Sequence, residues 1–327
     1  MTLKKLAETC GTSVATVSKA FSGSAEISDE TRSRIFAEAK KAGCFQKYYK
    51  GKHERPIIAL LFPETESDYY TRQIGFFERA ITERGADTIL ALTRFDRQRA
   101  AELFSTLAYR MKVDGFIVLD GGSTIKNPDE IPLVTISSGG GINKTADNVI
   151  IKFDEGIEEL IAVVKDYGHR RVGFIGERLT ESKLRRFKSA MRKHGLPISE
   201  KHIVTAESRF AEGGEECMKK LIARGKLPTV IVAAYDQLAY GAMRYAKKMG
   251  IQIPDDISFV GMDDIAVTDY LDVPLTSLHT HTESICEKAI DLIFKRIDNR
   301  YYREKRSISV PVTLTLRESL AKYTKED

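Results

Sequence analysis

From residue 57 onward the chain alternates short apolar runs with amphipathic stretches, and it does so twice. The runs at 57–62, 88–92, 115–119 and 133–136 are continuously apolar rather than alternating, the pattern of strands buried on both faces. Helical segments begin near residues 70 and 97. A second series follows, with strands at 172–175, 230–233 and 257–260 and helices near 155–167, 181–194, 210–224 and 236–249. Repeated strand–helix alternation leads to parallel sheets covered by helices on both sides. Two such series predict two doubly wound α/β lobes, each presenting ligand-bearing loops at its strand C-termini.

The first 56 residues follow a different rule. They hold 11 Lys/Arg against 6 Asp/Glu, which accounts for the whole net charge of +5 and leaves the rest of the chain balanced. Localised positive charge is the footprint of a module that binds a polyanion, although a solvated basic face has the same composition. Leu3, Leu6, Ala7 and Cys10 share one helical face, with Thr2 as N-cap, and Gly11-Thr12 ends that helix. Ser13 caps a second helix running to about Ala20, which buries Val17 and Phe21 and turns Val14, Ala15 and Lys19 outward. A third helix is capped by Ser28, carries Asp29 and Glu30 in its first turn, buries Ile35, Phe36 and Ala39, and closes at Lys40, Lys41 and Gly43. This is a three-helix helix-turn-helix head, in which one helix enters a major groove and another braces it. A small three-helix domain with no nucleic-acid role has the same local pattern.

These residues resemble a known family. Thr2-Leu-x-x-Leu-Ala, Gly11-x-Ser-Val-Ala-Thr-Val-Ser-Lys19 and Ile27-Ser-x-Glu-Thr-Arg32 are similar to the head of LacI/GalR-type repressors. Further along, Tyr167-Gly-His-Arg-Arg-Val-Gly-Phe-Ile-Gly176, Asp236-x-x-Ala-x-Gly241, Ile253-Pro-x-Asp-Ile-Ser258, Val260-Gly-x-Asp-Asp-Ile265, Pro274-Leu-Thr276 and Leu316-Arg-Glu-Ser319 fall in the family's order. The resemblance implies a head over 1–45, a linker over 46–56 and a periplasmic-binding-protein-like sensor over 57–327. Lobe one then comprises about 57–149 and 279–310, and lobe two about 150–278 and 311–327. It further implies that Val14, Ala15 and Lys19 read bases while Ser13, Thr16 and Ser18 contact phosphates. Lys19 stands where arginine is commoner in the family, and an ammonium cannot reproduce the bidentate guanidinium–guanine fork.

The family's linker wedges a leucine into the minor groove, but residues 45–56 contain none. Tyr48 or Tyr49 is the available apolar insert. The competing expectation is a basic tether touching phosphates, favoured by Gly51 and Pro56, which oppose helix. In the sensor, Tyr69 and Tyr70 replace a family segment whose aromatics stack on ligand, and Asp263 matches an acid that binds ligand hydroxyls. Asp264 beside it is suited to capping a turn. The family's ligand-clamping arginine falls at Lys183, its asparagine at Tyr235 and a common aspartate at Ser137, so ligand identity does not transfer. Lys183, Arg185, Arg186 and Lys188 form a basic cluster that reads either as a site for a phosphorylated or acidic sugar or as a solvated helix face.

Enzyme chemistry finds little footing. No phosphate loop, nucleophile elbow or paired-histidine zinc motif is present, and Gly139-Gly-Gly141 lacks the spacing of a dinucleotide fingerprint. His279 and His281 read as structural, without an acidic partner. Cys10, Cys44, Cys217 and Cys286 are too far apart for a metal or redox motif and are expected as free thiols. No apolar stretch is long enough to span a bilayer or to act as a signal h-region, so a cytoplasmic protein is expected. No cofactor or metal is expected. The expected partners are a roughly palindromic double-stranded operator, a carbohydrate-like effector and a second copy of the chain. The function expected is repression of a carbohydrate-utilisation operon. The alternatives are a corepressor-dependent regulator answering to a phosphorylated or non-sugar metabolite and, remotely, a DNA-tethered enzyme.

Overall fold

The computed structural model describes the whole chain except residues 23, 25, 50–54, 121, 139–140, 299–303 and 325–327. The Gly139-Gly-Gly141 motif therefore lies largely outside the described residues, as do residues 50–54 of the linker. Four helices open the chain: α1 (Leu3–Thr9), α2 (Val14–Ser22), α3 (Asp29–Lys41) and a single turn, α4 (Phe45–Tyr48). The expected caps are in place, with Lys5 N donating to Thr2 Oγ1 at 3.3 Å, Thr16 N to Ser13 Oγ at 3.0 Å and Thr31 N to Ser28 Oγ at 3.3 Å. Gly11 has φ +59°, the left-handed conformation that lets the chain reverse between α1 and α2. Leu6, Ala7, Val17, Ala20, Phe21, Ile35, Phe36 and Ala39 close the core of the head. Cys44 and Phe45 belong to that same core, and Tyr48 and Tyr49 pack against it.

The first sheet has the order β2-β1-β3-β4-β5-β11, where β1 is Ile57–Phe62, β2 Asp87–Leu92, β3 Gly115–Leu119, β4 Leu133–Ser137, β5 Asp147–Lys152 and β11 Ser307–Pro311. β1 runs parallel to β2 and β3, with Ile58 opposite Thr88 and Leu60 opposite Ile117. Central β1 and β3 are almost wholly buried, whereas β2 at the edge is half exposed, as strand position requires. Helices α5 (Asp68–Glu83) and α6 (Arg97–Thr106) connect these strands, and α6 runs into a π-helical turn, Leu107–Met111. Lys112 closes that turn in a left-handed conformation. Helix α11 (Thr282–Asp298) returns to this unit, where Arg296 is buried against Asp147.

The second sheet has the order β7-β6-β8-β9-β10-β12, where β6 is Val172–Glu177, β7 Ile203–Ala206, β8 Val230–Ala233, β9 Ser258–Asp263, β10 Thr276–His279 and β12 Thr313–Thr315. Strands β6 to β10 pair in parallel and β12 closes the edge antiparallel. Its helices are α7 (Phe153–Asp166), α8 (Glu181–Lys193), α9 (Phe210–Ala223) and α10 (Asp236–Lys248).

Two compact units result. One holds 1–65, 72–149 and 285–308, so the head groups with the first lobe; the other holds 66–71, 150–284 and 309–327. The chain passes between them at 284/285, later than the crossing expected near 278, because β10 completes the second sheet before α11 begins.

Candidate functional site

On the head, α2 and the Ser13 that caps it carry the major-groove candidates, and one face of the helix is buried. Val17, Ala20 and Phe21 point into the core, while Ser13, Val14, Ala15, Ser18 and Lys19 are exposed and Thr16 is half-buried. Val14 is 43% exposed. The Ser13 and Thr16 hydroxyls are 2.8 Å apart at the helix start. Lys19 is paired with Glu26 at 2.5 Å, a partner seven residues away that its own helix could not supply.

The linker tyrosines sit differently from their sequence expectation as DNA inserts. Tyr49 stacks on Phe45 at 5.0 Å and meets Phe36 edge-on, and its hydroxyl donates to the Ala108 carbonyl at 2.6 Å. Tyr48 packs on Phe21 and donates to the Met1 carbonyl at 2.6 Å. Both rings are half-buried within the protein, since three phenylalanines nearby offer better burial than water does.

In the second unit, the parallel register places Ile175, Ala233 and the end of β9 side by side, so the chain segments leaving β6, β8 and β9 converge. Lys183, in the first turn of α8, donates to the Ala234 carbonyl at 2.7 Å and to Asp263 Oδ1 at 3.2 Å. Its ammonium also lies 4.9 Å from the Phe153 ring centroid. Tyr235 follows β8; its hydroxyl accepts from Phe210 N at 3.0 Å and its ring meets Phe210 edge-on. Burial raises the Tyr235 phenol pKa, keeping it neutral. Asp263 ends β9 at φ +101°, a strained conformation for a non-glycine residue; burial raises its pKa and Lys183 opposes the rise. Lys183, Tyr235 and Asp263 are thus brought together.

Tyr69 and Tyr70 open α5 with rings 5.3 Å apart, and Tyr70 N is held by Ser67 Oγ. Ser137 ends β4 in the first unit.

Two residues of this rim escape sequence reasoning. Glu177 ends β6 buried, accepting from Leu179 N at 2.7 Å and facing Arg209 at 3.7 Å. Extending the expected strand at 172–175 by two residues would have exposed it as a strand-end acid. Asp236, fully buried, accepts from Ser277 Oγ at 2.5 Å and Ile265 N at 2.9 Å. Its pKa is pushed well above the carboxylate range by burial and then by the Asp263 charge.

The basic cluster is neutralised member by member: Lys183 by Asp263, Arg185 by Glu181, Arg186 by Asp154 and Lys188 by Glu200. His279, read from sequence as lacking an acid, has one: its Nδ1 lies 2.8 Å from Asp264 Oδ2, and Arg317 binds the other oxygen at 2.7 Å. Asp264 also accepts from the Thr268 hydroxyl, at 3.2 Å, and so braces the turn after β9. Among the described residues no group of histidine, cysteine and acidic side chains could hold a metal, and no helix is long and apolar enough to cross a membrane.

Residues 162–320 match the periplasmic binding protein-like domain family. The HTH-type transcriptional repressor PurR of Klebsiella pneumoniae is 27% identical over 334 residues, covering 98% of this chain and 97% of its own. The ribose operon repressor of Haemophilus influenzae is 27% identical over 330 residues, covering 98% of both. Among solved structures, a CelR–cellobiose complex superposes with TM-score 0.70 at 24% identity, covering 98% of this chain and 99% of that one. A lac repressor dimer bound to operator and an anti-inducer superposes with TM-score 0.70 at 19% identity, covering 98% of each.

Proposed function

We propose that this chain is a LacI/GalR-type transcription regulator, a sugar-responsive repressor that binds its operator as a homodimer and acts in the cytoplasm without catalysing a reaction, a reading supported by its likeness to the PurR and ribose operon repressors over nearly its whole length. In this reading the exposed face of α2 enters the major groove. Val14, Ala15 and Lys19 read bases, and Ser13, Thr16 and Ser18 hold phosphates. Two-fold symmetry of the dimer makes the operator roughly palindromic.

The effector is a neutral polyhydroxylated sugar, and the observation that carries this is the Lys183–Asp263 pair. An anionic ligand would need cations in excess, yet each basic residue of the cluster already faces a carboxylate. A neutral sugar instead uses both members: hydroxyls donate to Asp263 and accept from Lys183, while Tyr69, Tyr70 and Tyr235 offer ring faces and phenolic hydroxyls. The proposed contacts on the second unit are therefore Tyr69, Tyr70, Lys183, Tyr235 and Asp263, joined by Glu177, and Ser137 is a separate candidate on the first unit. Sugar binding and operator binding are linked, and each changes the other by the same factor.

Calorimetric titration with neutral, acidic and phosphorylated sugars tests the effector class: saturable binding of a neutral sugar is expected, and exclusive binding of a phosphorylated one would overturn the reading. Mobility shift of the upstream DNA with and without that sugar tests the coupling; an unaltered shift at saturating sugar would refute it.

A further inference from the structure

Three polar groups of the first lobe are buried against the head, although none of them has a role in reading DNA or binding a sugar. Lys112 is 4% exposed, and its ammonium donates to the Phe21 carbonyl at 2.9 Å and lies 6.0 Å from the Tyr49 ring centroid. Asp129 is 5% exposed and pairs with Lys40 at the end of α3. The Ala108 carbonyl, in the π-helical turn, accepts from the Tyr49 hydroxyl. With the head docked both charges leave water, and the head meets each with a partner, the Phe21 carbonyl for Lys112 and the Lys40 ammonium for Asp129, while Tyr109 of the same lobe also hydrogen-bonds Asp129.

The local backbone is arranged for this. The π-helical turn adds a residue to the end of α6, and the left-handed conformation of Lys112 reverses the chain immediately after it. The contacts fall on the C-terminal ends of α2 and α3 and on Tyr49, whereas Ser13, Val14, Ala15, Ser18 and Lys19 stay exposed. Docking and reading thus use different parts of the head.

We infer that Lys112, Asp129 and Tyr49 form a latch that holds each head on its own first lobe in the pose that engages the operator, so that they act as positioning residues where a leucine-bearing linker is absent. This rests on the operator-binding reading. With the head latched, a change in the lobe's orientation moves the reading helix directly, and two heads of a dimer keep a fixed spacing before DNA arrives. Pre-set spacing benefits a full palindromic operator, which needs both heads at once, and does nothing for a single half-site.

The test compares wild type with Lys112→Met and with the double variant Lys40→Ala/Tyr49→Phe, whose changes lie outside the cores of both lobes. Operator affinity is measured on the full palindrome and on one half-site, and amide exchange is followed at 107–113 in the absence of DNA. The expected result is faster exchange at 107–113 in both variants, with full-operator affinity reduced about tenfold, within the usual range of coupling between sites, and half-site affinity unchanged. Parallel loss on both DNAs would mean a damaged head, unchanged full-operator affinity an idle contact, and a gain in affinity an inhibitory one; each overturns the inference. Exchange at 107–113 that is the same in wild type and variants would overturn it even if operator binding stands. Failure of the wild type to bind any operator, with the exchange difference present, would instead remove the functional reading on which it rests.

Discussion

Lys183 occupies a position where one ammonium answers three demands at once: it satisfies the Ala234 carbonyl, neutralises Asp263 and lies close to the Phe153 ring. Lys183→Met leaves Asp263 buried without its cation, which raises the carboxyl pKa further and removes a sugar donor. Titration of this variant should show sugar affinity reduced by at least about tenfold, the usual cost of leaving a charged hydrogen-bonding group unpaired. On the head, Lys19→Arg should shift operator preference toward guanine at the base it meets, because only the guanidinium forms the bidentate pair. A base-substitution series read by competition binding measures this, and an unchanged preference would count against Lys19 as a base reader. His169 concerns stability instead. Its Nε2 faces the Ala321 carbonyl and Nδ1 the Thr229 hydroxyl, both at 2.9 Å, and burial lowers its pKa below the ordinary 6.5. The folded chain holds this imidazole neutral, so below about 6.5 the unfolded chain binds more protons and acidification favours unfolding. Its contribution is complete above that pH and declines as pH falls toward the lowered folded value. Denaturation midpoints across this window should flatten in His169→Gln. Residue identities of this sort were partly legible. Asp263 and Lys183 follow from the family pattern, but their pairing, and that of His279 with Asp264, joins positions 80 and 15 residues apart and leaves no local trace.

Between elements, the tightest packing joins α9 to α10. A methyl group added at Gly241 would overlap the Ala211 carbonyl, and one at Gly214 would overlap the Leu238 carbonyl. The helices approach so closely that only hydrogen fits, which gives a physical reason for the glycine in Asp236-x-x-Ala-x-Gly241. Gly241→Ala should destabilise the fold by about 1–3 kcal/mol through overpacking, measurable as a lower denaturant midpoint at unchanged slope. The long periodic helices and continuously apolar strands of both lobes could be read directly from the residues. β5, β7, β11 and β12 could not: they are three to six residues long and mix polar with apolar positions. Their strand character comes from pairing with neighbours already in place, as Leu278 does with Leu314 across β10 and β12. α4 escaped for a similar reason, since a single turn has no periodicity and forms here because Phe45, Tyr48 and Tyr49 complete an aromatic cluster.

For the whole molecule, the division of charge predicts a division of salt sensitivity. The basic excess lies within residues 1–56 and the remainder is balanced. Operator affinity should therefore fall steeply with added salt, with a logarithmic slope of about −0.9 per phosphate neutralised, while sugar affinity stays nearly constant. Binding measured at several potassium chloride concentrations checks both, and a salt-insensitive operator complex would contradict the electrostatic role of the head. This architecture was legible at its largest scale because charge and hydrophobic period change together near residue 57. The grouping of the head with the first lobe was not, since it depends on Lys112 and Asp129 meeting Phe21 and Lys40. That same grouping bears on how such regulators are recombined. A chimera cut near residue 56, with a foreign head grafted onto this sensor, inherits Lys112 and Asp129 as hidden charges. Unless the incoming head carries a cation at the place of Lys40 and an aromatic at the place of Tyr49, the graft loses its orientation even though each part folds. Heads of this chain are interchangeable only as matched sets.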